Sequence, residues 1–279
     1  MLHSAIDYAG LFPPASLAMS QAVLNYAEYR AADSAWALGR FIIPASRLIE
    51  LPDPVLGQTW NLSVLLGTDS KADSDSIRAF QTRFPASICS IEARAANEVD
   101  MDKVQGLFPE FSIFFEISIQ ENLPELLEAI RRRNARAKIR TGGISRDLFP
   151  SPSELGRFLI CAAERQVPFK ATAGLHHAMR WTYPLTYERA SLFATMHGFL
   201  NLILASAAAF AGFRREIVEL ILAEENKNSF HFDEGGVLSW HEWNFSSRLI
   251  YEMRYQFLLS FGSCSFLEPI SEMKALGIL

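Results

Sequence analysis

Stretches that read as short strands recur along this chain at intervals of roughly 20–32 residues, and each is followed by residues at helical spacing. That alternation leaves few folds open. Strands over 2–8, 38–44, 61–66, 87–93 and 111–117 precede helices over 20–31, a short one from Ser46, and then 73–84, 98–107 and 124–133. Two more strands open the stretches 137–143 and 169–177, with a helix over 153–165 between them. A strand, a helix and a second strand about thirty residues on make one βαβ unit, which is parallel with a right-handed crossover. Repeated along 279 residues, the unit predicts an α/β protein, a (β/α)8 TIM-like barrel, which typically takes about 250 residues. An open doubly wound sheet is the other architecture with this rhythm, but no GxGxxG follows the first strand.

Past His177 the regularity breaks. The pattern predicts one long or two shorter helices over 187–212 and a helix over 215–225. A hairpin around Asp233-Glu234-Gly235-Gly236 within 229–240 and a helix over 247–259 follow. An eighth strand is expected at 261–266 and a closing helix at 271–276. The chain then reads as a single barrel domain, 1–279, with 178–258 a mostly helical insertion between strands seven and eight at the catalytic end.

Composition narrows the function classes. A net charge of −5 and a pI near 5.7 leave no basic face for nucleic acid. Cys89, Cys161 and Cys264 are far apart with no CxxC, which fits a reducing, cytoplasmic setting and neither a zinc cluster nor a disulfide framework. No basic-then-apolar leader opens the chain. The apolar run 198–213 contains Asn201 and Ser206 and is shorter than a membrane span of ~20 residues, so a buried core helix is expected and no membrane partner.

Charges inside predicted strands point to the function. Side chains alternate along a strand, so Lys138 shares a face with Arg140, and Lys170 with Thr172. The same count pairs Glu92 with Arg94 and Glu116 with Ser118. These are four consecutive strands, and buried ions are costly unless paired or used. Asp7, at the end of the first strand, either adds a fifth charge or caps the turn after it. One use is a structural ion-pair network; another is a site that binds an anion and moves protons. A lysine in a partly apolar pocket beside a second cation has its pKa pushed down and becomes a nucleophile toward carbonyls, with a carboxylate as proton shuttle. Lys138 and Lys170 are equally open to that role or to that of an anion clamp, with Glu116 and Glu92 as the acids. Gly174 and Gly262-Ser263 would offer backbone N–H groups to an anion after strands seven and eight. His176 and His177 are adjacent and so point opposite ways; either is a candidate acid or base. His197 reads as a hydrogen-bonded core residue.

The stretches Lys138 to Gly143 and Lys170 to Gly174 resemble the strand-six and strand-seven motifs of class I aldolase barrels of the deoxyribose-phosphate type. The resemblance implies Lys138 as the Schiff-base nucleophile and Lys170 as the partner that lowers its pKa. This chain departs from the family pattern in carrying Arg140 in place of a small residue and His176-His177 in place of a glycine and an aliphatic residue. Its third strand has no aspartate. The leading expectation is a lyase or aldolase-like enzyme for a small anionic carbonyl compound, with no cofactor, in which Arg94, Arg140, Thr172, Gly174, His176, His177, Asp7 and Ser263 bind substrate. A second is an acid/base isomerase or hydrolase on Glu92, Glu116 and the histidine pair, where a divalent metal would find mixed N and O ligands. A third is a non-catalytic barrel that binds an anionic metabolite. The aromatic cluster of Trp240, Trp243 and Phe245 would pack in the core, cover a ligand or mediate homo-oligomerisation.

Overall fold

The computed structural model describes residues 1–52, 60–84, 88–233 and 237–279. Seven parallel strands come first: β1 (Ile6–Tyr8), β2 (Leu38–Pro44), β3 (Leu62–Leu65), β4 (Ile88–Arg94), β5 (Ser112–Glu116), β6 (Arg136–Arg140) and β7 (Phe169–Thr172). The helices between them are α1 (Met19–Ala31), α2 (Ser70–Arg83), α3 (Glu98–Leu107), α4 (Leu123–Arg132) and α5 (Pro152–Glu164), with a 3₁₀ segment, Ala45–Glu50, after β2. Next come β8 (Trp181–Pro184), β9 (Phe193–Met196), α6 (Phe199–Phe210), α7 (Arg215–Ala223), β10 (Phe230–Phe232), β11 (Leu238–Trp240), β12 (Trp243–Phe245) and α8 (Ser247–Gln256). Strand β13 (Leu258–Ser263) and helix α9 (Leu267–Ala275) end the chain. The barrel closes in the order β1-β13-β7-β6-β5-β4-β3-β2, every neighbouring pair parallel. The chain is therefore an α/β (β/α)8 TIM-like barrel with an insertion between its seventh and eighth barrel strands.

Local chemistry sets the helix starts. Asp69 accepts from the backbone N–H groups of Lys71 and Ala72 at the head of α2, and Asn97 from that of Asp100 in α3. At α5, Ser151 and Glu154 form a reciprocal capping box with Pro152 at the first position. In α4, Leu123, Leu126, Leu127 and Ile130 are buried at helical spacing, so one stripe covers the barrel while Glu125 and Glu128 face water. Helix α6 is buried on nearly every side, because α5, α7 and α8 pack around it and Phe199 stacks on Phe261 of β13. That explains the uninterrupted apolar run, which is a core helix as expected. Among the described residues, no helix is long and apolar enough to cross a membrane.

Several boundaries differ from the sequence reading. The helix expected from 187 is a two-stranded antiparallel hairpin, β8–β9, and α6 starts only at Phe199. The hairpin lies at the carboxyl end of the barrel, where Arg146 donates to the Phe193 carbonyl at 2.7 Å and the Tyr187 hydroxyl to Glu268 at 3.0 Å. The eighth strand begins at Leu258 rather than 261, and the closing helix at Leu267 rather than 271, with Pro269 in its first turn. Among the described residues, the insertion thus carries two small antiparallel sheets, β8–β9 and β10–β11–β12, beside three α-helices. The expected hairpin at 229–240 is β10–β11, but residues 234–236, like Ser87 of the expected fourth strand, lie outside the described residues. Trp240 and Phe245 are buried, with Trp243 against Phe213, so this aromatic cluster packs in the core.

Candidate active site

The predicted inward face of each strand meets its neighbours in the barrel interior. Lys138 lies in register with Glu116 on β5 and with Lys170 on β7. Five charged side chains then form one chain of contacts with alternating sign. Lys170 Nζ donates to Asp7 Oδ2 at 2.5 Å and to Glu92 Oε1 at 2.7 Å. Lys138 Nζ lies 2.8 Å from Glu92 Oε2 and 2.8 Å from Glu116 Oε2. Glu116 Oε1 faces outward to Arg94 Nε at 3.5 Å and Arg140 Nη1 at 3.9 Å.

Serines and backbone complete the carboxylates. Asp7 also accepts from Ser260 Oγ at 2.7 Å and from the Arg40 N–H at 2.8 Å, and Glu92 from Ser63 Oγ at 2.7 Å. Gly39 makes the Asp7 contact possible: a Cβ there would stand 2.4 Å from Asp7 Oδ1. Beneath the network lies the ring of Phe114, with Lys170 Nζ 5.5 Å, Arg40 5.6 Å and Arg136 5.9 Å from its centroid.

A cavity of about 480 Å³ opens above the network at the carboxyl ends of the strands, where barrel enzymes place their sites. Lys138, Glu92 and Glu116 line it, with Arg94, Arg140, Thr172, Gly174 and His176 around them. Gly174 takes φ +75°, and a Cβ on it would lie 2.8 Å from the Phe149 ring, so the chain turns there as only glycine allows. Four expected site residues do not border the cavity. Lys170 and Asp7 lie beneath its floor. His177 turns away to hydrogen-bond Glu272 at 2.5 Å and stack on Tyr183, and Ser263 is spent holding His176 Nδ1 at 3.1 Å. A side pocket of about 180 Å³, lined by His177, Tyr187 and Glu268, adjoins the cavity at Pro14, Gly143, Gly174 and His176.

The electrostatics reverse one expectation. Burial pulls the Lys138 ammonium down, but Glu92 and Glu116 outweigh it, and its pKa ends above the ordinary lysine value. The second lysine does not depress it, because a carboxylate stands between the two amines. Glu92 is pushed up by burial and pulled further down by Lys138 and Lys170, ending well below the usual carboxylate range. Burial likewise raises Glu116, and Lys138, Arg140 and Arg94 bring it below its ordinary value. Burial, with His177 adding to it, lowers His176 to about 4, so its imidazole is neutral at neutral pH.

His197 is the buried, hydrogen-bonded histidine the sequence suggested, with Nε2 2.7 Å from the Pro150 carbonyl, and burial lowers it too to about 4. These two histidines predict an acid-labile fold. In the unfolded chain each takes a proton near pH 6.5, whereas the folded protein resists protonation until about pH 4. Stability is therefore full above pH 6.5 and falls as pH drops through this window, by up to roughly 3 kcal/mol per histidine. Urea midpoints across the window should show the loss, and His197→Gln, which keeps a donor for Pro150 but does not titrate, should roughly halve it.

Sequence reasoning missed Ser63, Ser260, Arg40, Cys264 and Glu268. Ser63 was within reach, since it sits at an inward position of the expected third strand, whereas Ser260 falls just before the strand expected at 261–266. Cys264 lines the cavity, and its thiol is pushed up by burial. Among the described residues, no three His, Cys, Asp or Glu side chains are placed to share a metal ion. Compared with known proteins, the chain matches no protein-family model, and no curated protein is significantly similar to it.

Proposed function

We propose that this chain is an enzyme acting on a small anionic carbonyl compound by lyase or aldolase-like chemistry, with Lys138 as the Schiff-base amine. One observation carries the reading: the Lys138 ammonium borders the cavity 2.8 Å from Glu116, a carboxylate that borders it too. An amine, a proton acceptor and a space for substrate therefore meet at one point.

At rest the amine is an ammonium, and attack needs its proton removed. Arg94 and Arg140 help hold Glu116 acidic. A substrate anion that engages these two arginines draws their charge away from Glu116, which becomes basic enough to take the Lys138 proton. The free amine attacks the carbonyl carbon, and the oxygen leaves as water with a proton returned by Glu116. The resulting iminium accepts the electron pair when the carbon–carbon bond one atom away breaks. Glu92 stays ionised between the two lysines and balances the charge. Neutral His176, on the cavity wall, is free to accept a proton from substrate.

Borohydride added with a pool of small aldehydes, ketones and sugar phosphates should leave an adduct on Lys138, read by mass spectrometry. Labelling should change little with pH around neutrality, because the Lys138 proton passes to Glu116 and back without leaving the site. A rate that changes steeply with pH there would count against the mechanism. The raised pKa of Lys138 favours one second reading, an acid/base isomerase in which the ammonium stabilises an enolate and Glu116 or His176 moves the proton. Turnover of a substrate without any adduct would select that reading.

A further inference from the structure

The cavity has two unlike halves, and barrel topology puts them face to face. In a closed ring of this strand order, β6 stands opposite β2, β5 opposite β1, and β7 opposite β3. The β4–β7 half is the charged one already described. The opposite half presents Phe12, Pro13 and Pro14 after β1, Ile42 on β2, and Leu65 and Leu66 at the end of β3. Among the described residues, the Thr68 hydroxyl and the Cys264 thiol are the polar side-chain groups this half adds to the lining. The cations bordering the cavity, Arg94, Lys138 and Arg140, all lie on β4 and β6. Among the described residues, none borders it after β7 or β13, where a phosphate would be expected in such a barrel; the side pocket there holds the Glu268 carboxylate instead.

Lys138 and Arg140 both reach Glu116, at 2.8 Å and 3.9 Å, so the groups for carbonyl and anion stand close together. We propose that the substrate is a 2-oxo acid with an apolar alkyl or aryl tail, its carboxylate on Arg94 and Arg140, its carbonyl at Lys138 and its tail on Ile42, Leu65, Leu66 and Phe12, and not a polyhydroxylated sugar phosphate. The inference rests on the Schiff-base reading for the carbonyl's place and on the cavity wall for the tail. Sugar hydroxyls laid against that wall would lose their water partners with little in exchange, whereas hydrocarbon gains from burial. In the trapped step the Lys138 nitrogen bonds to C2, the C2 oxygen leaves as water with two hydrogens, and cyanoborohydride supplies the hydride that reduces the iminium.

The test uses the full chain with cyanoborohydride and a matched series: pyruvate, 2-oxobutanoate, 2-oxohexanoate, 2-oxooctanoate, dihydroxyacetone phosphate and glyceraldehyde 3-phosphate. Labelling of Lys138 at limiting concentration should rise about three- to fourfold per methylene until the wall is filled, and both sugar phosphates should lag behind 2-oxohexanoate. Leu65→Gln should lower the ratio of 2-oxohexanoate to pyruvate labelling. A flat chain-length series, or faster labelling by a sugar phosphate, overturns the inference while leaving Schiff-base chemistry standing. If no compound labels Lys138, the Schiff-base reading fails on its own. Calorimetric affinities for the same series then decide the tail, the same rise supporting the apolar wall and a flat or inverted order overturning it.

Discussion

A Lys138→Arg protein should fold, still bind the substrate's anion, give no borohydride adduct, and turn over slower by about 10⁴-fold or more. Arginine keeps the positive charge between Glu92 and Glu116, which lie 2.8 Å from the native ammonium. A guanidinium stays protonated and does not form the imine. Its extra bulk has somewhere to go, because Lys138 borders the cavity on one side. Charge and nucleophilicity are thereby separated. An ammonium that only clamps an anion or steadies an enolate would be partly replaced by arginine, and a loss of tenfold or less would sink the covalent reading. Lys138→Met is a weaker test, since it leaves Glu116 and Glu92 each short of a buried partner, at a stability cost of about 3–5 kcal/mol. Intact folding of the arginine protein is checked by its urea midpoint before any rate is compared.

Much of this site was legible in the sequence, and what was not has physical reasons. Period-two counting placed Glu92, Glu116, Lys138 and Lys170 on the inner face because barrel strands are straight enough to keep alternation. Alternation assigns a face but not a height. Lys138 and Lys170 pair across adjacent strands, yet only Lys138 reaches the cavity. Height decided chemistry as well: a carboxylate, not the second lysine, neighbours the Lys138 amine, so its pKa goes up. The eighth strand was set too late because Leu258 and Leu259 continue the apolar spacing of α8, and Ser260 was hidden with it. The β8–β9 hairpin escaped because Trp181 and Phe193 are exposed and the burial of β8 does not alternate.

Lys170→Met should strongly destabilise the barrel interior while sparing the chemistry. The side chain is 1% exposed, and its ammonium is shared between Asp7 at 2.5 Å and Glu92 at 2.7 Å. Removing it leaves Asp7 with only hydrogen bonds and a distant Arg40 at 3.9 Å, and leaves Glu92 with one lysine instead of two. Breaking a buried pair in this way costs about 3–5 kcal/mol, out of a total stability of roughly 5–15 kcal/mol, and should lower Tm by about 10 °C. The sign with pH is diagnostic. Glu92 is held below its ordinary pKa in the native protein, so its contribution is present at neutral pH and is lost as pH falls into the acid range. Without Lys170 that carboxylate is protonated more readily, and the gap between the two proteins should narrow on acidification. An Asp7→Asn, Lys170→Met double variant removes a charge of each sign and should regain part of the loss, giving a coupling energy between the two sites. Adduct formation on Lys138, measured below the lowered Tm, should stay within about tenfold of the native rate, because Lys170 lies under the cavity floor. An adduct on Lys170 itself, or its loss abolishing the Lys138 adduct in a folded protein, would move the nucleophile or its essential partner one layer down.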